Sequence, residues 1–302
     1  MFKSKNSMSR ALVRRETTAG YLFLLPSLFF FVTFVLYPMF LCIYTSFFDS
    51  NMGKNAVDVF VGLGNYKELF QDKLFLGALK NTVVIVVVAV PTVCAFSLWV
   101  ATAIYDMKPA LTSAFRCIFY LPVVTGSVAV TVVWKWMYNN RYGVFNYLFK
   151  SLGIIDQNIN WLGDARFALW CIILILFTTS VGQPIVLYVS ALGNVDHSLV
   201  EAAQVDGANR RQVFWKIKWA QIMPTTLYIL IITTINSFQC FALIQLLTSG
   251  GPTHSTDTIM YYIYYTAFKL YRYGYGNAMG VVLMIIIAVL SAVQFKLGQK
   301  SD

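Results

Sequence analysis

Six uncharged stretches divide this chain, running from Gly20 to Phe48, Asn81 to Tyr105, Cys117 to Trp134, Phe167 to Val195, Trp219 to Thr256 and Tyr273 to Phe295. Each is near or above the roughly 20 residues that a helix needs to cross a hydrocarbon core of about 30 Å. Stretches of that length are predicted to be helical, because an open sheet edge in lipid leaves backbone groups unpaired. The fifth exceeds one span, and its last part, around Thr248-Ser249-Gly250-Gly251-Pro252, is predicted to be a loop. The pattern predicts an all-α, polytopic membrane bundle of about six transmembrane helices. Composition agrees: 58% of residues are apolar, 12% are charged and the mean hydropathy is +0.64, leaving too little polar surface to cover a soluble globule.

Charge adds orientation. The net charge of +10 does not form a basic patch with interleaved aromatics, which argues against a nucleic-acid partner. With the N-terminus inside, 13 of the 23 Lys and Arg fall on the cytoplasmic side. Five lie in the tail up to Arg15, and the others are Lys108, Arg116, Arg210, Arg211, Lys216, Lys218, Lys296 and Lys300. This density favours cytoplasmic N- and C-termini, with residues 1–19 a basic tail, flexible or lying along the inner face. A signal peptide is not expected, since the run from Gly20 is much longer than an h-region and no small-residue cleavage site follows it. Cys42, Cys94, Cys117, Cys171 and Cys240 sit in apolar runs without metal-type spacing and read as packing residues.

Local punctuation refines the path. Asp106, Lys108 and Pro109 mark a short inner turn, and residues 139–166 an outer segment in which Trp161 suits the membrane interface. Pro91, Pro122 and Pro184 fall inside spans and read as packing kinks. Gly276 and Gly280 offer a small-residue face for close helix packing.

The most informative segment is 196–224. Ser198 and Glu201 have capping-box spacing, so a short helix is predicted to start at Ser198. Gly207 breaks it, and a second helix starts near Asn209, with Val213, Phe214 and Ile217 on one side and Arg210, Arg211, Lys216 and Lys218 largely on the other. Two short helices meeting at a glycine form a compact knob. It is either a docking element for a soluble partner or a solvated connector.

Glu201-Ala202-Ala203-Gln204-Val205-Asp206-Gly207-Ala208, with Gln212, Phe214, Ile217 and Pro224 after it, closely resembles the EAA loop of binding-protein-dependent ABC importer permeases. Most of the chain shares the likeness: Phe60 to Tyr66, Asn81-Thr82, then Pro122, Trp134, Gly143 and Asn146, and Leu247 to Pro252 follow the carbohydrate-type pattern. Ala220 and Ser249 depart from it, replacing a usual proline and glycine. The resemblance implies that residues 20–302 form a permease domain whose EAA loop, with Glu201, Ala202, Ala203, Asp206, Gly207 and Ala208, seats in a cytoplasmic ABC ATPase dimer. It further implies a second related permease, an extracytoplasmic solute-binding protein and a bacterial-type cell membrane, with membrane lipid around the spans.

No Walker-type phosphate loop occurs, so this chain is expected to bind no cofactor and not to be an enzyme, with ATP and Mg on the separate ATPase. For the substrate path, the fifth span offers Asn236, Phe238, Gln239, Phe241 and Gln245, with Asn236 and Gln239 on one helical face. These residues serve either a path or interhelical hydrogen bonding. No Lys or Arg lies in the middle of a span, so a neutral mono- or oligosaccharide is expected ahead of glycerol-3-phosphate or a polyol. A membrane glycosyltransferase is a remote alternative: the two histidines, His197 and His254, lie on separate loops.

Overall fold

The computed structural model describes residues 3–50 and 58–299, so Lys300 lies outside it. Fifteen helices follow in order: α1 (Lys3–Phe31), α2 (Tyr37–Thr45), α3 (Gly64–Leu69), α4 (Lys73–Tyr105), α5 (Pro109–Val124), α6 (Ser127–Met137), α7 (Val144–Ser151), α8 (Ala168–Ser180), α9 (Gly182–Gly193), α10 (His197–Val205), α11 (Arg210–Val213), α12 (Trp219–Phe238), α13 (Ala242–Leu247), α14 (Ile259–Tyr264) and α15 (Tyr273–Gln299). The sheet is a two-residue antiparallel ladder of β1 (Phe48–Asp49) and β2 (Val59–Phe60). Among the described residues five helical rods are long and apolar enough to cross a membrane, and six if α5 and α6 count as one broken span. This is the multi-pass helical bundle that the six stretches predict.

Residues 3–19 are helical and continuous with the first span. The third span is not one rod: α5 and α6 are bent by 95° at Thr125-Gly126. Pro122 removes an amide donor in the last turn of α5, and Thr125 and Gly126 take extended ψ angles of 126° and 140°. By contrast, Pro91 leaves α4 unbroken.

The core is built on α4. Val93, Val100, Ala101 and Ile104 pack against Val181, Ile185, Tyr188, Val189 and Leu192 around α9, and against Ile222 and Ile229 of α12. Lipid tails are as apolar as these side chains, so shape fit and hydrogen bonds hold helices together in a bilayer. Buried Ser97 of α4 donates to the Val181 carbonyl at 3.2 Å. Gly182 permits a close approach of α9 to α5, since a Cβ there would collide with the Phe119 carbonyl. On α15, Gly276 faces Ala267 closely enough that a Cβ would crowd it, whereas Gly280 leaves room for one beside Cys42.

At the end of the bundle that bears the ladder, polar ties replace apolar packing. Asp72 caps α4 by accepting from the Leu74 and Phe75 amides, and it also accepts from the hydroxyls of Tyr262 at 2.8 Å and Tyr275 at 2.9 Å. Arg272 makes a bidentate pair with Glu68, both bonds at 2.8 Å. Trp161 is held by the outer segment. It donates to Asn146 Oδ1 at 2.9 Å within a cluster of Tyr138, Phe149 and Phe167. The predicted loop after Thr248 is present and braced: Thr248 and Thr256 share a 2.8 Å hydrogen bond, and Tyr261 donates to the Ser249 carbonyl at 2.9 Å.

Partial burial alone would push the Asp72 carboxyl up, but the two tyrosine hydroxyls and two amides outweigh it and hold the carboxyl below its ordinary 3.8. A depressed folded-state value stabilises the fold above the unfolded value, and that stability is lost as pH falls. The melting temperature of the purified protein is therefore expected to drop as pH is lowered through 3.8 and below, and Asp72→Asn to show a smaller drop from a lower start. An identical pH profile in the variant would refute this role.

Candidate functional site

The 196–224 segment is set by local capping chemistry. The first cap differs from expectation: Asp196, not Ser198, is the N-cap of α10, and its Oδ1 accepts from the Ser198 amide at 2.9 Å and the Ser198 hydroxyl at 2.8 Å. Asp196 precedes the predicted start by two residues and offers a charged acceptor, which outcompetes a hydroxyl for the amide. These bonds hold its carboxyl below the usual range. Glu201 is thereby released from capping and is exposed.

α10 ends as its sequence predicts. Gly207 sits at φ +83°, its amide donates to the Gln204 carbonyl, and the Ala208 amide reaches back to the Ala203 carbonyl at 2.9 Å. This paired termination is favoured by a glycine at the left-handed position. Asn209 then caps the next helix in a reciprocal box with Gln212, at 2.9 and 2.8 Å. That second helix is not short: after four residues and a π turn at Phe214–Lys218 it becomes α12, so one continuous helix runs from Arg210 to Phe238.

The knob is tied to the bundle at both ends. The Asp196 amide donates to Gln221 Oε1 at 3.1 Å, and Lys218 Nζ lies 4.6 Å from the centre of the Tyr105 ring instead of pointing into solvent with Arg210 and Arg211. Val213 is buried. What remains outward is unusual for a solvated connector: Leu199 is 50% and Val205 87% exposed, and they share a stripe with Ala202 at three-residue spacing beside Glu201. Ala203 and Ala208 are half-buried, while Asp206 is exposed. Neither Asp196 nor the Leu199/Val205 stripe was singled out in the sequence, although the three-residue spacing was there to read.

The five candidates of the fifth span do not converge. Asn236 lines a cavity of about 150 Å³ with Thr179, Ser180, Gln183, Tyr228 and Thr233. Gln239 is the C-cap of α12, where the helix stops, and lies in a separate apolar cavity with Met260, Ile263 and Met284. Phe238 is buried in the core with Phe75 and Met279. Phe241 meets Tyr264 edge-on at 5.0 Å, and Gln245 is half-buried with its Oε1 unpaired. The polar cavity thus keeps one expected residue and gains Thr179, Ser180 and Gln183, whose clustering inside an otherwise apolar span was the available signal. Among the described residues no group of His, Cys, Asp or Glu could hold a metal ion.

The profile of the binding-protein-dependent transport system inner membrane components matches residues 75–300. A probable ABC transporter permease protein of Bacillus subtilis is 33% identical, covering 94% of this chain and 91% of the relative. A multiple sugar-binding transport system permease protein of Streptococcus mutans is 32% identical over 94% of this chain and 96% of the relative. A lactose transport system permease protein of Rhizobium radiobacter is 32% identical over 94% and 95%. In fold, the chain is similar to a bacterial alginate ABC transporter solved with a periplasmic protein bound to an alginate pentasaccharide, with a TM-score of 0.82, 23% identity and coverage of 95% and 96%.

Asn209→Ala is expected to cost about 1 kcal/mol by removing the reciprocal cap. Gly207→Ala should cost about 1–2 kcal/mol by forcing a Cβ into the left-handed region. Thermal unfolding of the purified protein checks both. An unchanged midpoint for either would mean that its local geometry does not stabilise the knob.

Proposed function

The chain belongs to the binding-protein-dependent transport system inner membrane components, and on that premise we propose that it is the permease subunit of an ATP-driven importer whose cargo is a sugar. The exposed knob carries the mechanism. The Leu199/Ala202/Val205 stripe is an apolar strip suited to a groove of a cytoplasmic ABC ATPase dimer, which itself holds ATP and Mg. Glu201, freed from capping, is available for a charge-assisted contact to a basic group there. Ala202, Ala203 and Ala208 allow close approach, while Gly207 and Asp206 shape the turn. In this reading the knob and both termini face the cytoplasm of a bacterial-type cell, and the chain itself binds no nucleotide or other cofactor.

Closure of the ATPase dimer would move the knob and, through the continuous helix from Arg210 to Phe238, the wall of the polar cavity. That cavity supports a sugar, since Asn236, Gln183, Thr233 and Thr179 supply neutral hydrogen-bonding groups and Tyr228 an aromatic face. The names of the sugar-transporting relatives favour the same class. A second, related permease fits the first span: no residue of Glu16–Thr45 is fully buried within this chain, leaving a long apolar surface for a neighbour and for lipid. An extracytoplasmic solute-binding protein would deliver the sugar at the opposite end.

Reconstitution with the ATPase, the second permease and the binding protein tests the reading across a panel of sugars. Glu201→Ala and Gly207→Pro are expected to lower sugar-stimulated ATP hydrolysis at least tenfold while the chain remains folded in the membrane. Proline at 207 both loses the amide bond to Gln204 and cannot adopt φ +83°. Wild-type coupling in both variants would reduce the knob to a connector.

A further inference from the structure

The polar cavity does not end at Gln183. A second cavity of about 450 Å³ shares Gln183 and Leu187 with it and is completed by Arg116, Cys117, Tyr120 and Val186. The two adjoin each other across Gln183 and Leu187. Arg116, Tyr120 and Val123 lie on one face of α5 at helical spacing, Gln183 and Leu187 on one face of α9, and Tyr228, Ile232 and Asn236 on one face of α12. The close approach of α5 to α9 at Gly182 fixes the first two faces against each other.

From the sequence Arg116 counts as a charge at the inner edge of the third span. In the fold it stands two turns inside α5, which starts at Pro109. It is half-buried, and its Nε is fully buried without a hydrogen-bond partner. Among the described residues no carboxylate pairs with it, and no Asp or Glu lines either cavity. An arginine placed only to satisfy the charge bias of the inner face would keep its whole head in water. An unpaired guanidinium facing a cavity within a membrane bundle is instead poised for an anion, and its fork suits carboxylate or phosphate.

An independent observation agrees. At the start of the outer segment a cleft of about 650 Å³ is lined by Lys135, Arg141, Asn140, Asn160, Tyr142 and Thr248. Its walls are fixed by Asn146, which bonds the carbonyls of Asn140 and Ile159, and by the Thr248–Thr256 pair. Among the described residues neither cation has a carboxylate partner, and no Asp or Glu lines this cleft either.

We propose that the sugar carried by this chain is anionic, a carboxylated or phosphorylated carbohydrate, and that Arg116 receives its negative charge at the end of the track formed by Asn236, Tyr228 and Gln183. The proposal rests on the sugar reading above and replaces the neutral sugar expected from the spans. Arg116 is then a specificity-determining residue: Asn236 and Gln183 bond hydroxyls that any sugar offers, and the guanidinium selects those bearing charge.

Titration calorimetry on the purified complex of this chain with its second permease and ATPase tests this directly, using digalacturonate and glucose 6-phosphate against galactobiose and glucose. Wild type is expected to bind at least one anionic probe at least tenfold more tightly than its neutral counterpart. Arg116→Gln should erase the preference, and Arg116→Lys should retain most of it. Equal affinities in wild type, or a preference surviving in Arg116→Gln, would overturn the proposal. Loss of the second permease from the Arg116→Gln complex on size exclusion would also overturn it, by assigning the arginine to a partner carboxylate. Binding of neutral probes alone would leave the sugar reading standing and remove this one, whereas binding of neither class would take both down.

Discussion

Everything in this bundle depends on the need to pair backbone amides and carbonyls without water. A continuous helix meets that need by itself, so the rods tolerate any apolar surroundings. Every interruption must be met by another part of the protein. After α8, the Val181 carbonyl is taken by Ser97. After α12, the carbonyl of Cys240 accepts from Thr258 at 2.7 Å. In the loop beyond, Asn81 donates to the carbonyls of Ser255 and Asp257, and Thr82 accepts the Ile259 amide. α4 is thus both the packing centre and the donor of side chains that make irregular backbone tolerable elsewhere.

The same requirement explains where polar chemistry collects. The 150 Å³ cavity lies beside the α8–α9 junction and in front of the α12 terminus, where side-chain hydroxyls and amides are already needed for structural reasons. Thr179 shows the economy: its hydroxyl bonds back to the Ile175 carbonyl at 3.0 Å while the residue lines the cavity. Structural breaks and ligand-facing groups occupy the same few turns, as expected if irregular backbone in a membrane survives only where protein or a cavity surrounds it.

Features governed by neighbours in sequence were legible, and those governed by distant packing were not. The six apolar stretches, the left-handed Gly207, the Asn209 cap and the loop after Thr248 all follow from local composition, and each is present in the fold. The 95° break at Thr125-Gly126 was not legible, because Pro91 and Pro122 look alike in sequence while only the second lies near a glycine at a helix end. Asn236 and Gln239 have helical spacing, but the helix stops between them, which sends them to different cavities. The bond from Trp161 to Asn146 was hidden because the two lie fifteen positions apart. The depth of Arg116 was hidden for a similar reason, since α5 begins seven residues before it through Pro109, a favoured first residue of a helix.

The continuity of α11 with the fifth span has a mechanical meaning. From Arg210 to Phe238 the backbone is one continuous helix through the π turn at Phe214–Lys218, about 44 Å long at 1.5 Å per residue. Its one irregularity, the π turn at Phe214–Lys218, sits next to the knob and is clamped by the Lys218–Tyr105 contact. A displacement of the knob at Asn209 is thus joined by unbroken helix to Asn236 in the cavity wall, with the packed seam against α4 alongside it.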